Sequence, residues 1–260
     1  MKDITVIKIG GSTFGSGDTT IDDIVALQKK GQVLIVVHGG GSSVTDWLKR
    51  LGVATKFVRG ERVTDLPTLE VAAGVLAGLV NKEITAAINL RGGRAVGISG
   101  VDGALIESKV KDKDMGYVGS VERVNAALLK VLLKAGFVPV VSPISLHSMD
   151  RPDDAPAMIN VNGDPIAGDI AAALGAKRLV FLTDVAGVND KSGKIISRLS
   201  AREAEAMVAS GEISGGMIPK INACLRALKA GSVARIIDGR KPHALLQEIE
   251  GTEGGTTIYK

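Results

Sequence analysis

Short β-branched runs recur along this chain, each closed by glycine or a polar turn and followed by a stretch with helical spacing, and that alternation restricts the fold more than any other feature. A strand buried on both faces reads as a continuous apolar run, and parallel strands joined by helices are the usual way to bury it. The first run, Ile4-Thr-Val-Ile-Lys-Ile-Gly-Gly-Ser12, shows the pattern and one exception to it. Ile4, Val6, Ile7 and Ile9 suit a buried strand, and Gly10-Gly11 lets the backbone turn without Cβ hindrance. Lys8 does not fit. A buried cation costs several kcal/mol unless it reaches water, a counter-charge or a ligand. At the carboxyl end of a strand, where open α/β sheets bind ligands, Lys8 faces whatever the two glycines hold, and phosphate suits both. An edge strand with a solvated lysine is the plainer alternative.

The rest of the chain repeats the alternation. A turn at Gly15-Ser16-Gly17 leads to a helix from Thr20, whose Thr-Ile-Asp-Asp can cap it, to about Lys30; a strand from Gln32 to Val37 follows. His38-Gly39-Gly40-Gly41-Ser42 then precedes a helix from Val44 to Leu51, so a strand, three glycines and a helix start make a backbone anion cradle. Residues 55–65 read as a polar connection, and Leu69 to Ile88 as a long helix opened by Pro67. Next come a strand from Arg94 to Ile98, a β-hairpin within Ala104 to Val124, a helix from Asn125 to Ala135 and a strand from Phe137 to Val141. Ser145 to Pro156 reads as a loop, Ala157 to Val161 as a strand, Pro165 to Leu174 as a helix and Lys177 to Leu182 as a strand. A helix from Ser200 to Ser210, another after Ser214-Gly215-Gly216 through Lys229, a strand from Val233 to Ile237, a helix from Pro242 to Ile249 and a strand from Thr256 to Tyr259 complete the pattern. The expected fold is α/β: a three-layer αβα sandwich around a mostly parallel central sheet with right-handed crossovers.

Composition narrows the function. Aromatics are 3%, too few for a stacking platform on single-stranded nucleic acid, and 32 basic against 28 acidic residues give a net charge of only +4. The single cysteine, Cys224, excludes an internal disulfide and a multi-cysteine metal site, and its spacing with Ile221, Leu225 and Leu228 places it in the core. No signal peptide and no apolar run of membrane-spanning length is expected, so the chain is read as cytoplasmic.

Taken together, Lys8-Ile-Gly-Gly, His38-Gly-Gly-Gly, Gly60-Glu-Arg-Val-Thr, Gly97-Ile-Ser-Gly-Val-Asp-Gly, Gly116-Tyr-Val-Gly, Asn160-Val-Asn-Gly-Asp, Leu182-Thr-Asp-Val-Ala-Gly-Val and Ser214-Gly-Gly-Met-Ile-Pro-Lys220 resemble, in this order, the motifs of the amino acid kinase superfamily, with the N-acetylglutamate kinases nearest. The resemblance covers the chain from residue 4 onward. It implies transfer of the ATP γ-phosphoryl group to the γ-carboxylate of N-acetyl-L-glutamate, the second step of arginine biosynthesis. Lys8 and Lys220 would stabilise the transferring group, with Asp164 holding both ammonium groups; Asp164 also suits an N-cap of the Pro165 helix. Arg62 would clamp the α-carboxylate, with Asn160 and the Gly40 and Gly41 amides binding the rest of the acceptor. Gly10, Gly11, Thr183, Asp184, Val185, Ala186, Gly187, Val188, Glu212, Ile213 and Ser214 match positions around the nucleotide. The residues offer no metal cage, so Mg²⁺ would arrive on the ATP phosphates. Residues 1–175 would form the acceptor-binding and dimerisation lobe and 176–260 the nucleotide lobe of one domain.

Glu61, Gly163 and Pro165 depart from the family pattern. They leave room for a sister kinase acting on aminoadipate or glutamate carried by an acidic protein, which would dock on basic residues such as Lys49, Arg50, Lys56 and Arg59. A nucleotide or amino-acid sensor without activity would be expected to lose Lys8, Asp164 or Lys220. Arginine-inhibited relatives are implied to be hexamers linked by a helix before the first strand. Only Met1 to Asp3 precede that strand here, so the expectation is a homodimer, joined in the half containing the long helix after Pro67 and little inhibited by arginine, although Thr252-Glu-Gly-Gly-Thr-Thr is similar to part of the effector-site sequence.

Overall fold

A computed structural model describes residues 3–11, 19–58, 60–251 and 254–260. The turn at 15–17, Ser12, Arg59 and the Thr252-Glu253 part of the tail lie outside them. In chain order the strands are β1 Ile4–Ile9, β2 Val33–His38, β3 Phe57–Val58, β4 Glu61–Arg62, β5 Ala95–Ser99, β6 Ile106–Val110, β7 Val118–Val124, β8 Val138–Ser142, β9 Ile144–His147, β10 Met158–Val161, β11 Arg178–Thr183, β12 Arg198–Ser200, β13 Val233–Asp238 and β14 Thr256–Tyr259. The helices are α1 Thr20–Lys29, α2 Gly41–Arg50, α3 Leu66–Leu90, α4 Ala127–Lys134, α5 Gly163–Leu174, α6 Ala201–Ala209, α7 Met217–Lys229 and α8 Ala244–Glu250.

Eight strands form one sheet in the order β12-β14-β13-β11-β1-β2-β8-β5, with every neighbouring pair parallel except β13 and β14. The period of two sorts the apolar runs onto two faces. Ile4, Val6, Ile35, Val37, Leu179 and Phe181 join a core built with α4, α5 and α7. Ile7, Ile9, Leu34, Val36, Val180 and Leu182 join another built with α1, α2, α3 and α8. The three layers follow directly. Lys8 shares the parity of Val6, so its side chain rises on the α5 side at the carboxyl end of the central strand β1.

Several local expectations needed correction. The polar connection at 55–65 contains the β3–β4 hairpin, and the supposed loop at 145–156 begins inside β9. The 104–124 hairpin is real, as β6 and β7 with a bulge between Glu107 and Ser108, but β9 and β10 close it into a four-stranded barrel. Thr20 lies within α1, whose N-cap is Thr19; that hydroxyl accepts from the His243 N–H at 2.6 Å and leaves its own helix end without a side-chain cap. α2 begins at Gly41, inside the glycine loop. α3 is longer than expected and is wound as a π-helix from Gly74 to Val80; against the sequence reading, it has the length and apolarity of a membrane span. It packs on the sheet through Val75, Leu76, Ile84 and Ile88.

The approach of α5 to α7 sets the frame of the site. A Cβ on Gly168 would lie 2.7 Å from the Ala223 carbonyl oxygen and 2.8 Å from its Cα, so the two helices touch backbone to backbone there. Alanine is a better helix former than glycine by about 1 kcal/mol, but overpacking a close contact costs roughly 1–3 kcal/mol. Gly168→Ala should therefore lower the free energy of urea unfolding; an unchanged or raised value would show that the helices part easily.

Candidate active site

At the carboxyl edge of the sheet, β1 ends in Gly10 and Gly11, and β2 ends in the Gly39 to Gly41 loop from which α2 starts. A Cβ on Gly11 would lie 3.2 Å from the Gly40 nitrogen, so the two loops pack backbone on backbone. Gly40 has φ +140, and a Cβ on it would meet Leu76 at 2.8 Å. Only glycine meets both conditions. The Gly10 N–H donates to the Leu182 carbonyl at 3.1 Å, which places the loop after β11 beside the first glycine loop.

Lys8, 7% exposed, puts Nζ 2.7 Å from Asp164 Oδ1, and Lys220 from the first turns of α7 puts Nζ 2.9 Å from Oδ2. Three residues expected together from motif order alone thus meet across 56 and 156 positions of chain. Asp164 is not the N-cap of α5. Asn162 is, accepting from the Asp164 N–H at 2.9 Å, and Asp164 sits within the first turn with its carboxylate free for the lysines. Pro165 is tolerated there because the first-turn N–H groups have no intrahelical partner. Burial alone would push the Asp164 carboxyl up; the charges of Lys8 and Lys220 outweigh it and hold the group below its usual range.

Lys8 borders an open cleft of about 250 Å³ lined also by Gly11, Gly40, Gly41, Arg62 and Asn160, and Lys220 reaches its edge through Asp164. Arg62 is 9% exposed. Its Nη2 donates to the Gly41 carbonyl at 2.9 Å and to Thr45 Oγ1 at 2.7 Å, and its guanidinium lies 4.6 Å from the Phe57 ring centroid. Its Nη1 is buried with no hydrogen-bond partner among the described residues. A braced guanidinium with one orphaned arm at a cleft wall suits a carboxylate ligand. Asn160 extends from β10 and donates to Thr64 Oγ1 at 3.3 Å. Thr45 and Phe57 escaped the sequence reading; the Gly41-to-Thr45 helical spacing could have pointed to the first, and nothing local marks the second.

The residues matched to the nucleotide positions are less uniform. Thr183 ends β11 and donates through Oγ1 to Asp184 at 3.2 Å, while Asp184 and Val185 are exposed and Ala186 half-buried. Gly187 is buried, and the Val188 and Ile213 side chains belong to the core, with the Val188 N–H donating to Thr256 Oγ1 at 2.8 Å and the Ile213 N–H to the Met207 carbonyl at 3.0 Å. Those two side chains are therefore buried in the core and do not open onto the surface. Glu212 pairs with Lys191 at 3.1 Å, and Ser214 is exposed just ahead of α7.

Fold and site together define a phosphoryl-transfer enzyme of the anion-neutralising kind, and residues 3–238 match the amino acid kinase family. The chain belongs to that family. Over 255 residues it is 51% identical to the acetylglutamate kinase of Dehalococcoides mccartyi (strain CBDB1), covering 98% of this chain and 94% of the relative. It is 47% identical over 261 residues to the acetylglutamate kinase of Cereibacter sphaeroides (strain ATCC 17029 / ATH 2.4.9), covering 99% and 87%. Among solved structures, the N-acetylglutamate synthase of Neisseria gonorrhoeae complexed with coenzyme A and N-acetyl-glutamate superposes with a TM-score of 0.84 at 27% identity, over 99% of this chain and 59% of that one.

Removing Asp164 would leave the buried Lys8 and the half-buried Lys220 ammonium groups facing each other. Asp164→Asn should cost about 3 kcal/mol of stability, the range for breaking a buried ion pair by deleting one partner. Because the folded carboxyl is held below its unfolded value near 3.9, the stabilisation is full above that pH and is lost as pH falls through the lower folded value. Urea titrations should give a gap between wild type and variant that is constant from about pH 8 to 5 and closes only in stronger acid. A gap that widened on acidification would contradict the assignment.

Proposed function

We infer that this chain is an ATP-dependent kinase that phosphorylates the γ-carboxylate of N-acetyl-L-glutamate, giving N-acetyl-L-glutamyl 5-phosphate and ADP in arginine biosynthesis. The orphaned Nη1 of Arg62 at the cleft wall is the observation that carries the acceptor side of this reading, and the two curated relatives named above support it. In the reaction a γ-carboxylate oxygen forms the new bond to the γ-phosphorus while the bond from that phosphorus to the β,γ-bridging oxygen breaks, the electron pair leaving on ADP. Two anions must be brought together, so the protein's task is positioning and charge neutralisation. Lys8 reaches from the acceptor side and Lys220 from the nucleotide side, with Asp164 keeping both ammonium groups in register. Arg62, Asn160, Gly40 and Gly41 hold the acceptor.

Gly10, Gly11, Thr183, Asp184, Val185, Ala186, Gly187, Glu212 and Ser214 line the nucleotide approach, Val188 and Ile213 supporting it from the core. Both Asp164 oxygens are engaged by lysines, so Mg²⁺ fits this site as an ion carried on the ATP phosphates, where it supplies charge neutralisation. Residues 1–175 serve as the acceptor lobe and 176–260 as the nucleotide lobe. A homodimer joined along α3 is part of the proposal, supported by Leu66, Leu79 and Leu90, which leave 46%, 39% and 87% of their surface exposed on that helix. So is a cytoplasmic site of action, in keeping with a lone, buried, unpaired cysteine. A carrier-bound acceptor is not favoured by the names of the curated relatives. A sensor is not favoured by the assembled lysine–aspartate cluster.

A coupled ADP-release assay with N-acetylglutamate, glutamate and aminoadipate side by side tests the reading; faster turnover with either competitor would overturn it. Lys8→Met should lower kcat by ~10²- to 10³-fold, about 3 to 4 kcal/mol, since it removes one preorganised donor to charge that develops in the transition state. Acceptor KM should barely move. Arg62→Lys keeps the charge but loses the fork, so acceptor KM should rise before kcat falls. Weakened ATP binding with normal acceptor KM would mean that the two halves of the site are assigned the wrong way round.

A further inference from the structure

His38 closes β2 with its side chain fully buried. Its Nδ1 lies 2.7 Å from the carbonyl oxygen of Gly39, an atom that can only accept, so Nδ1 carries the proton. Its Nε2 lies 3.2 Å from Asn81 Nδ2, an atom that can only donate, so Nε2 is the bare acceptor. The orientation of the Asn81 amide is fixed independently: the same Nδ2 faces the carbonyls of Ile98 at 3.2 Å and Val140 at 2.9 Å, so its two N–H groups are shared among three acceptors, while Oδ1 accepts from Lys82 at 3.2 Å. Burial pushes the imidazole down to about 4, outweighing the bond to Gly39 and reinforced by the nearby charge of Lys8. The ring is therefore neutral, with its tautomer set by the Gly39 carbonyl at Nδ1 and matched at Nε2 by the shared Asn81 donor.

In a trans peptide the carbonyl and the following N–H point in opposite directions. A Gly39 carbonyl drawn toward the buried ring therefore turns the Gly40 N–H away from that ring, and the Gly40 nitrogen lies against the Gly11 loop, 3.2 Å from where a Gly11 Cβ would sit. Both glycines line the cleft. Resting on the kinase reading above, we propose that His38 is a positioning residue for phosphoryl transfer: with Asn81 it fixes the Gly39–Gly40 peptide so that the Gly40 N–H is presented as a donor to the anion in the cleft. Backbone donors are effective only when held in place before charge develops, and a glycine loop with φ of +140 at its centre does not hold itself.

Two substitutions separate this role from packing. His38→Asn keeps an amide N–H near the position of Nδ1 and so retains the donor to Gly39, while His38→Gln places its amide near Nε2, keeping the Asn81 contact and losing that donor. The Gln variant should lose ~10- to 10²-fold in kcat with ATP KM unchanged, and the Asn variant should stay within about fivefold of wild type, whatever the ranking of their thermal stabilities. Equal loss in both, or activity that simply follows stability, overturns the proposal. An arm that needs no substrate is ¹⁵N NMR of the His38 ring, which should show the neutral Nδ1–H tautomer from about pH 6 to 8. An Nε2–H tautomer or an imidazolium there overturns the role of His38 even in an active enzyme, whereas a wild type inert toward N-acetylglutamate with the expected tautomer faults only the kinase reading.

Discussion

The Lys8–Asp164–Lys220 cluster is the interaction on which the arrangement of this protein depends. Two ammonium groups and one carboxylate are withdrawn from water, which costs several kcal/mol per ion and leaves one positive charge unmatched. An anion entering the cleft restores the balance. The cluster joins the central strand to α5 and α7, and the backbone contact of Gly168 with Ala223 keeps those two helices close enough for one carboxylate to serve both lysines. Packing far from the cleft and chemistry within it are thus one constraint.

The glycine loops complete the site by a different physical route. They offer amide donors in place of charge, and their usefulness depends on what braces them from behind. Leu76 and Val80 of the π-wound segment of α3 fill the space against Gly40, and Asn81, the next residue, reaches the carbonyl ends of β5 and β8 as well as His38. π-turns within α-helices are frequent at functional sites. Here the turn delivers Asn81 to the sheet. Arg62 is braced in the same manner, with one arm spent on Gly41 and Thr45 and the other without a hydrogen-bond partner among the described residues.

Much of this was legible in the sequence because it is local. β-branched runs ending in glycine gave the strands, helical spacing gave the layers, and Lys8 stood out as a charge where none should be. The motifs in order pointed to Asp164, Lys220 and Arg62 as partners in one site. Errors fell where local pattern is thin: β3, β4 and β12 span two or three residues, and β9 lies in a polar stretch. Val188 and Ile213 match nucleotide-site positions, but a motif does not say which way a side chain faces.

The sequence by itself determined the element alternation, the parallel αβα class and the identity of the charged residues, because strand and helix periodicity and the cost of burying a lone cation are properties of neighbouring residues. Only the tertiary structure decided that Asn162 and not Asp164 caps α5, that the hairpin closes into a small barrel, that Arg62 keeps one arm unsatisfied, and that the buried His38 ring lies between the Gly39 carbonyl and the Asn81 amide. Each of those depends on atoms brought together from distant parts of the chain, whose hydrogen-bonding needs are met or left open only once the sheet order and helix approach are set.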